Sequence, residues 1–424
     1  MMFYKETNFK ETPIGKIPED WEVVRVNEIC IKIKAGGTPL TSKKEYYGGN
    51  IPFVKIEDLT TSHKYLKSTL TTITEEGLRN SSAWLVPPKS LLVAIYGSIG
   101  AVAINEIEVA TNQAILGIIP NEKKINVEFL YYLLTYLKPY LERYAKQTTQ
   151  ANLTAEIIKN LKVPLPSYSE QQKIAEILST VDEAIQKTNE IIAKTERLKK
   201  GLMQELLTKG IGHKEFKETP IGKIPKEWKI STLSELINYE KGKRPSKLFK
   251  ERTSHHFVPY LKAEYLRGLE SPEWCDPTEV NILRVKKTDI IMIWDGSYSG
   301  EVFIGFEGVL ASTMIKIMPK ESLINNKYLY YWLKKHSRIL HSTTVGTGIP
   351  HVNKKIFENL LIPIPPISEQ QKIVEILSTV DKKLEIERNR KRKLERIKQG
   401  LMDLLLTGKI RVKVDHKNKE EMIK

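Results

Sequence analysis

The stretch SEQQKIAEILSTVD, Ser169–Asp182, occurs a second time at Ser368–Asp381, changed only where Ala175 is matched by Val374. A second block, FKETPIGKIP at Phe9–Pro18, returns unchanged at Phe216–Pro225. Each copy is followed by a tryptophan at the same spacing, Trp21 and Trp228. The first pair of blocks is offset by 199 residues and the second pair by 207. The chain is therefore two copies of a unit of about 200 residues, the second shorter in its middle. GLM at Gly201 and Gly400 and LLT at Leu206 and Leu405 keep the same offset of 199. The centres diverge. FLYYLLTY at Phe129 faces YLYYWLKK at Tyr328, IIKNLKVPLP at Ile157 faces IFENLLIPIP at Ile356, and IYGS at Ile95 faces WDGS at Trp294. Two domains that share a scaffold but differ in what they bind would have such ends and such centres. Loop drift after an old duplication is the plainer alternative.

The repeated block opens a helix. Ser169 with Gln172, and Ser368 with Gln371, have capping-box spacing just after a proline-rich junction. Apolar residues then recur every three or four positions, as in one helical stripe. In the first copy they include Ile174, Leu178, Val181, Ile185, Ile192, Leu198 and Leu202. In the second they include Ile373, Leu377, Val380, Leu384, Leu394, Ile397 and Leu401. Gly210 and Gly408 are plausible stops. Each helix is expected to run about 40 residues, or roughly 60 Å. So long a helix with one apolar stripe needs a partner, and its own repeat is the nearest, in a coiled coil. Chain order favours an antiparallel pair, with the Phe9–Pro18 block meeting the end of the second helix as Phe216–Pro225 meets the end of the first. From Lys382 to Lys398 there are nine basic and three acidic residues, against four of each from Asp182 to Lys199. That strip is either a solvated face or one that meets phosphates or an acidic partner.

Composition bounds the rest. The 424 residues suggest about three domains or an equivalent body. Hydrophobic residues at 41% and charged residues at 28% describe a globular chain. A net charge of +16 favours a polyanionic partner, most often nucleic acid. Two distant cysteines, Cys30 and Cys275, exclude a disulfide framework and a cysteine zinc site, and suit a reducing cytoplasm. The opening residues have no signal-peptide character. The most apolar stretch, Leu91–Ile104, is broken by glycines and shorter than the ~20 residues that span a bilayer, so no membrane segment is expected.

Within each unit the pattern is α+β with a small mixed or barrel-like sheet. Ile51–Leu59, Ser90–Ser98 and Thr288–Ser297 read as strands; the segments from Asn126 and Asn325 read as amphipathic helices. Several loops mix cations, small residues and amides. Lys32, Lys34, Gly36, Gly37 and Thr38 form one, with Lys43 and Lys44 just beyond; Lys241, Lys243 and Arg244 are its counterpart. Glycine lets a backbone approach phosphate and lysine or arginine neutralises it. Thr111, Asn112 and Gln113 follow a strand, as does Thr313 in the second copy. A third cluster is Gln147, Thr148, Thr149, Gln150 and Asn152, matched loosely by Thr347, His351 and Asn353. Asn and Gln amides read adenine in bidentate fashion. Tyr96 with Ser98, and Trp294 with Ser297, are candidate contacts beside Gly-Ser turns. Ordinary turns, loop-stabilising amides and core aromatics are the competing explanations.

Catalytic signatures are missing from the sequence. There is no GxxxxGK[ST] phosphate loop, no Asn/Asp-Pro-Pro-Tyr/Phe tetrad, no Pro-Asp…Asp/Glu-x-Lys nuclease pattern and no HExxH. No metal site is expected in this chain.

Together these features resemble the specificity subunit of type I restriction–modification enzymes. The residues that carry the resemblance are the IGKIPxxW openings at Ile14 and Ile221 and the proline junctions into SEQQKI at Pro164 and Pro363. The GLMxxLLT helix ends at Gly201 and Gly400, and GTGIPHVN at Gly346, add to it. The likeness spans nearly the whole chain. It implies two tandem α/β target-recognition domains, residues 1–165 and 211–365, separated by spacer helices at 166–210 and 366–412. A basic and polar tail, 413–424, follows, and the whole is a circular, pseudo-two-fold repeat. Each domain would read one half of a split, asymmetric site on double-stranded DNA. The helices would fix the spacing and dock methyltransferase subunits, and motor–nuclease subunits would join that core. The chain itself would be non-catalytic and cofactor-free, with S-adenosylmethionine, ATP and magnesium used by its partners. In the first copy QTTQAN at Gln147 replaces the more family-like Gly346–Asn353, so the resemblance assigns DNA-facing residues there less firmly. Two rivals remain on sequence alone: a coiled-coil scaffold whose ends bind proteins, and a self-sufficient nuclease or methyltransferase with unrecognised motifs.

Overall fold

The computed structural model describes residues 3–146, 153–320, 323–346 and 348–413. Both repeated blocks do form long helices, Tyr168–Leu206 and Ile367–Leu405, each of 39 residues. They begin slightly earlier than the capping-box reading expects. Ser167 Oγ accepts from the Glu170 N–H (3.4 Å), and the Pro366 carbonyl accepts from Glu369 and Gln370. Ser169 and Ser368 thus lie inside the first turn.

The chain packs as two units, Met1–Asn189 with Arg390–Lys424, and Glu190–Asn389. Each unit holds one globular part and half of each long helix. In the first, a five-stranded sheet runs in the order Cys30–Ala35, Ile115–Pro120, Leu91–Ala94, Val102–Asn105, Tyr65–Leu66. A four-stranded sheet accompanies it, in the order Thr71–Ile73, Tyr47–Val54, Val109–Thr111, Leu85–Val86. The second unit repeats the plan with four strands in each sheet. Its orders are Ile237–Lys241, Met314–Pro319, Ile290–Ile293, Val302–Phe303, and Glu273–Cys275, Val258–Leu261, Gly308–Leu310, Arg284–Val285. The strand expected over Ile51–Leu59 ends at Val54; Ile56–Thr61 is a helix. Its start is fixed by Asp58, whose carboxylate accepts from the Lys55 N–H at 2.8 Å. A tyrosine-rich helix, Val127–Lys146 or Asn326–Ser342, packs on the sheet that contains Leu91–Ala94 or Ile290–Ile293.

The repeated residues turn out to be joints within each unit. In the first, the Trp21 indole N–H donates to Glu170 (3.1 Å). The Asn126 N–H donates to Gln171 Oε1 (2.8 Å), and Gln171 Nε2 donates to the Pro166 carbonyl (3.0 Å). In the second, Trp228 donates to Glu369 (3.0 Å), Asn325 to Gln370 (2.7 Å) and Gln370 to the Pro365 carbonyl (2.9 Å). The next turns repeat the device. Tyr132 donates to Asp182 (2.7 Å), which also pairs with Lys398 (2.6 Å); Tyr331 donates to Asp381 (2.8 Å), which also pairs with Lys199. The early part of one long helix therefore meets the late part of the other in both units, so the pair is antiparallel.

The apolar stripe does two jobs. Ile174 and Leu178, like Ile373 and Leu377, are buried in the globular cores of their units. Val181, Ile185, Ile192, Leu202, Val380, Leu394 and Leu401 are half-buried and Leu384 is buried. Two expected seam residues are not in the seam: Leu198 is 56% exposed and Ile397 51%. Thr188 and Thr195 of the first helix are instead buried, and their hydroxyls donate to the Ala184 and Ile191 carbonyls at 2.7 Å. A threonine that satisfies its own hydroxyl in this way can enter a seam that pattern-reading assigns to leucine.

The first unit also closes on the chain ends. Phe3–Lys5 pairs antiparallel with Ile410–Val412. Gly408, with φ +70°, brings the helix exit against Pro18 and Trp21: a Cβ there would lie 2.4 Å from Pro18 Cγ. Gly210, with φ +68°, makes the same approach to Trp228 in the second unit.

Candidate nucleic-acid interface

Four segments meet at one end of the helix-bearing sheet in each unit, held by matching backbone bonds. In the first unit Gly36 N–H donates to Ile115 (3.2 Å), Ile95 to Ala114 (2.9 Å) and Leu153 to Ile95 (3.1 Å). In the second, Gly242 donates to Met314, Trp294 to Thr313 and Val352 to Trp294, all at 2.9 Å. This frame sets position against position. Thr38 matches Arg244, Tyr96 matches Asp295, Ser98 matches Ser297, and Gln113 matches Ser312. Most candidates scattered along the sequence are thus brought together.

In the first unit Lys32 and Lys34 are exposed on the edge strand Cys30–Ala35, with Lys32 Nζ 4.0 Å above the Trp84 ring. Gly36 and Gly37 are buried. A Cβ on Gly36 would lie 1.9 Å from the Thr111 carbonyl, and both amides donate inward, to Ile115 and Thr111. Close backbone packing explains these glycines, and their N–H groups are not available to a phosphate. Thr38 bonds Gln113 through its hydroxyl, and both are exposed. Lys43 reaches Tyr46 Oη at 3.1 Å, and Lys44 is exposed. Tyr96 is exposed beside the Gly97 turn, and Ser98 is half-buried. Thr111 is fully buried, so it belongs to the core. Asn112 locks its own turn, accepting from Ala114 N–H at 3.1 Å. Gln147, Thr148, Thr149, Gln150, Asn152 and, in the second copy, Thr347 lie outside the described residues.

In the second unit Lys241 pairs with Asp295 (2.7 Å), while Lys243, Arg244, Ser297, Thr313 and His351 are exposed. Trp294 is a packing residue: it stacks on Tyr239 (5.6 Å, 22°) and meets Phe357 edge-on (5.4 Å, 88°). Asn353 caps a short helix, accepting from Ile356 N–H at 3.2 Å. Sequence reading missed Asp295 and the Arg267 guanidinium, which lies 3.5 Å from the Tyr298 ring. The WDGS–IYGS match already placed Asp295 in line with Tyr96.

Little here suits metal or thiol chemistry. Among the described residues no group of three or more His, Cys, Asp or Glu is placed to hold a metal. Burial pushes the Cys30 thiol up to about 12 and the Cys275 thiol to about 11. No helix among the described residues is long and apolar enough to cross a membrane.

Comparison with known proteins gives a consistent result. The profile of the type I restriction modification DNA specificity domain matches residues 18–197 and again 225–396. A Methanocaldococcus jannaschii protein assigned as the MjaX type I restriction enzyme specificity subunit is 32% identical over 97% of this chain and 99% of its own. The MjaVIII specificity subunit of the same organism is 29% identical over 97% and 98%. A crystal structure of the type I restriction–modification S subunit from M. genitalium aligns with a TM-score of 0.58 at 18% identity. It covers 91% of this chain and 96% of its own, a likeness of fold.

Proposed function

This chain belongs to the type I restriction modification DNA specificity family, and we propose that its two loop clusters are the surfaces that read DNA. As a sequence-specificity subunit it directs a type I restriction–modification complex to a bipartite site, one half to each unit. The observation that carries the residue-level reading is the matched frame: the same backbone bonds hold Thr38, Tyr96 and Gln113 in one unit and Arg244, Asp295 and Ser312 in the other. One scaffold with two sets of side chains is what an asymmetric site requires. The net charge of +16 supplies sequence-independent attraction to phosphate.

The partners in this reading are methyltransferase subunits docked on the long helices, with motor–nuclease subunits added to that core. Leu198 and Ile397, exposed at equivalent places on the two helices, are the candidate contacts for such docking. Chemistry, S-adenosylmethionine, ATP and magnesium are assigned to those partners, and the complex to the cytoplasm. Modified-base sequencing of host DNA, with and without this gene, tests the reading. Loss of one split, asymmetric methylated motif on deletion is the expected result. An unchanged methylome with the gene expressed would point to an inactive system or to the protein-binding scaffold.

A further inference from the structure

We infer that the second unit reads a G·C base pair in the major groove, with Arg244 addressed to the guanine and Asp295 to the cytosine amino group. This rests on the DNA-reading function proposed above and names its chemistry.

A cleft of about 510 Å³ opens at the loop cluster of the second unit, lined among others by Arg244, Tyr260, Asp295, Ser297, Ser312 and Thr313. Arg244 is exposed, and among the described residues no carboxylate lies within ion-pair distance of it. Its planar fork carries parallel N–H donors at the spacing of guanine O6 and N7.

Asp295 is the more telling residue. A carboxylate at a surface that meets a polyanion is repelled, unless it accepts a hydrogen bond that only a base can offer. Cytosine N4 is such a donor. Lys241 Nζ, 2.7 Å from the Asp295 carboxylate, offsets the repulsion. The backbone under it is fixed as well: Asp295 N–H donates to Thr313 (3.0 Å), and the next residue, Gly296, donates to Pro350 (2.7 Å). A donor fork and a fixed acceptor on one cleft match the two partners of a G·C pair, which presents O6 and N7 on one side and N4–H on the other. The first unit holds Thr38, Tyr96 and Ala35 at the positions of Arg244, Asp295 and Lys241, so its half-site should not depend on this device.

The test uses the assembled complex, this chain co-expressed with its methyltransferase subunit, and reads the methylated motif. Arg244→Lys keeps the charge and removes the fork; Asp295→Asn keeps the shape and adds a donor. Each is expected to relax one G·C position in one half-site, lowering discrimination there by about ten- to a hundredfold, with the other half unchanged. Where a variant abolishes methylation, binding of the purified complex to duplexes substituted one pair at a time supplies the same readout. The inference is overturned by an unchanged motif, by an even loss across both halves (a phosphate contact), or by a wild-type half-site holding no G·C pair. A wild-type complex with no bipartite motif would instead remove the underlying function.

Discussion

Arg411 sits among three carboxylates. Its guanidinium donates to Glu170 (2.6 and 2.8 Å), to Asp20 (2.8 and 2.9 Å) and to Glu6 (2.8 Å). The Arg411 and Glu170 side chains are 8% and 3% exposed, whereas Asp20 is 66% exposed, so the buried Glu170 pairing carries most of the effect. Arg411→Ala leaves that carboxylate buried and unpaired. A loss of about 3–5 kcal/mol is expected in denaturant unfolding of the chain. In the second unit His213 approaches Glu369 at 2.8 Å without a fork, and His213→Ala should cost less. Acid should open the same clasp. The Arg411 hydrogen bond holds the Asp20 carboxyl below its ordinary 3.8, and backbone bonds from Asn8 and Thr7, with Arg411, hold Glu6 below 4.5. Groups lowered by folding stabilise above their ordinary values, and the contribution is lost as pH falls through the lowered ones. Wild type should therefore weaken below about pH 4, and Arg411→Ala should weaken less steeply. Pull-down tests the exposed apolar pair: Leu198→Asp with Ile397→Asp should keep the fold, since neither is buried, and reduce methyltransferase capture by tenfold or more, roughly 1.4 kcal/mol. Full capture would exclude that surface.

At the scale of elements, the two long helices are registered by paired ions. Asp182 with Lys398, and Lys199 with Asp381, join residues on the two helices in opposite order. Seven residues inserted into the first helix between Lys187 and Lys194 preserve its face, about two turns, and lengthen it by roughly 10 Å. Both ion pairs cannot then form against an unaltered second helix. Methylation should be lost, and a matching insertion between Arg388 and Lys393 should restore it with a longer unread gap. At ~3.4 Å per base pair the increase is about three pairs. Restoration without any change in the gap would break the link between helix length and spacing. Much of this element-level picture is legible beforehand, because a 39-residue helix without an internal proline declares its periodicity. The seam itself is less legible. Thr188 and Thr195 look polar in sequence, and only their bonds to Ala184 and Ile191 show how they are accommodated.

For the whole molecule, charge is the controlling quantity. The +16 excess predicts a salt-sensitive complex. If it neutralises six to ten phosphates, affinity should fall by about 10³–10⁵ between 50 and 200 mM salt. Arg244→Lys should leave that slope unaltered, and a flat dependence would contradict an electrostatic footing for binding. The same net charge is carried unevenly, with nine basic residues from Lys382 to Lys398. Several of these serve internal pairs, Lys398 with Asp182 and Arg388 with Glu196 among them, so a count of cations overstates what is offered to DNA.

The sequence by itself determined the duplication and the two long helices and pointed to their antiparallel pairing, because repeats and helical periodicity are properties of the chain read in order. It also marked the loops from which the candidate site is built. Tertiary structure decided which of their residues face outward. Gly36, Thr111, Trp294 and Asn353 have the composition of contact residues, but packing and capping use them up. The pairing of Asp295 with Lys241, 2.7 Å apart, is likewise visible only in the structure. The structure also joined Glu6 and Asp20 to Arg411 across nearly the full length of the chain. Local patterns report the backbone's own preferences; exposure and ion pairing depend on residues far apart in sequence, and only folding brings those together.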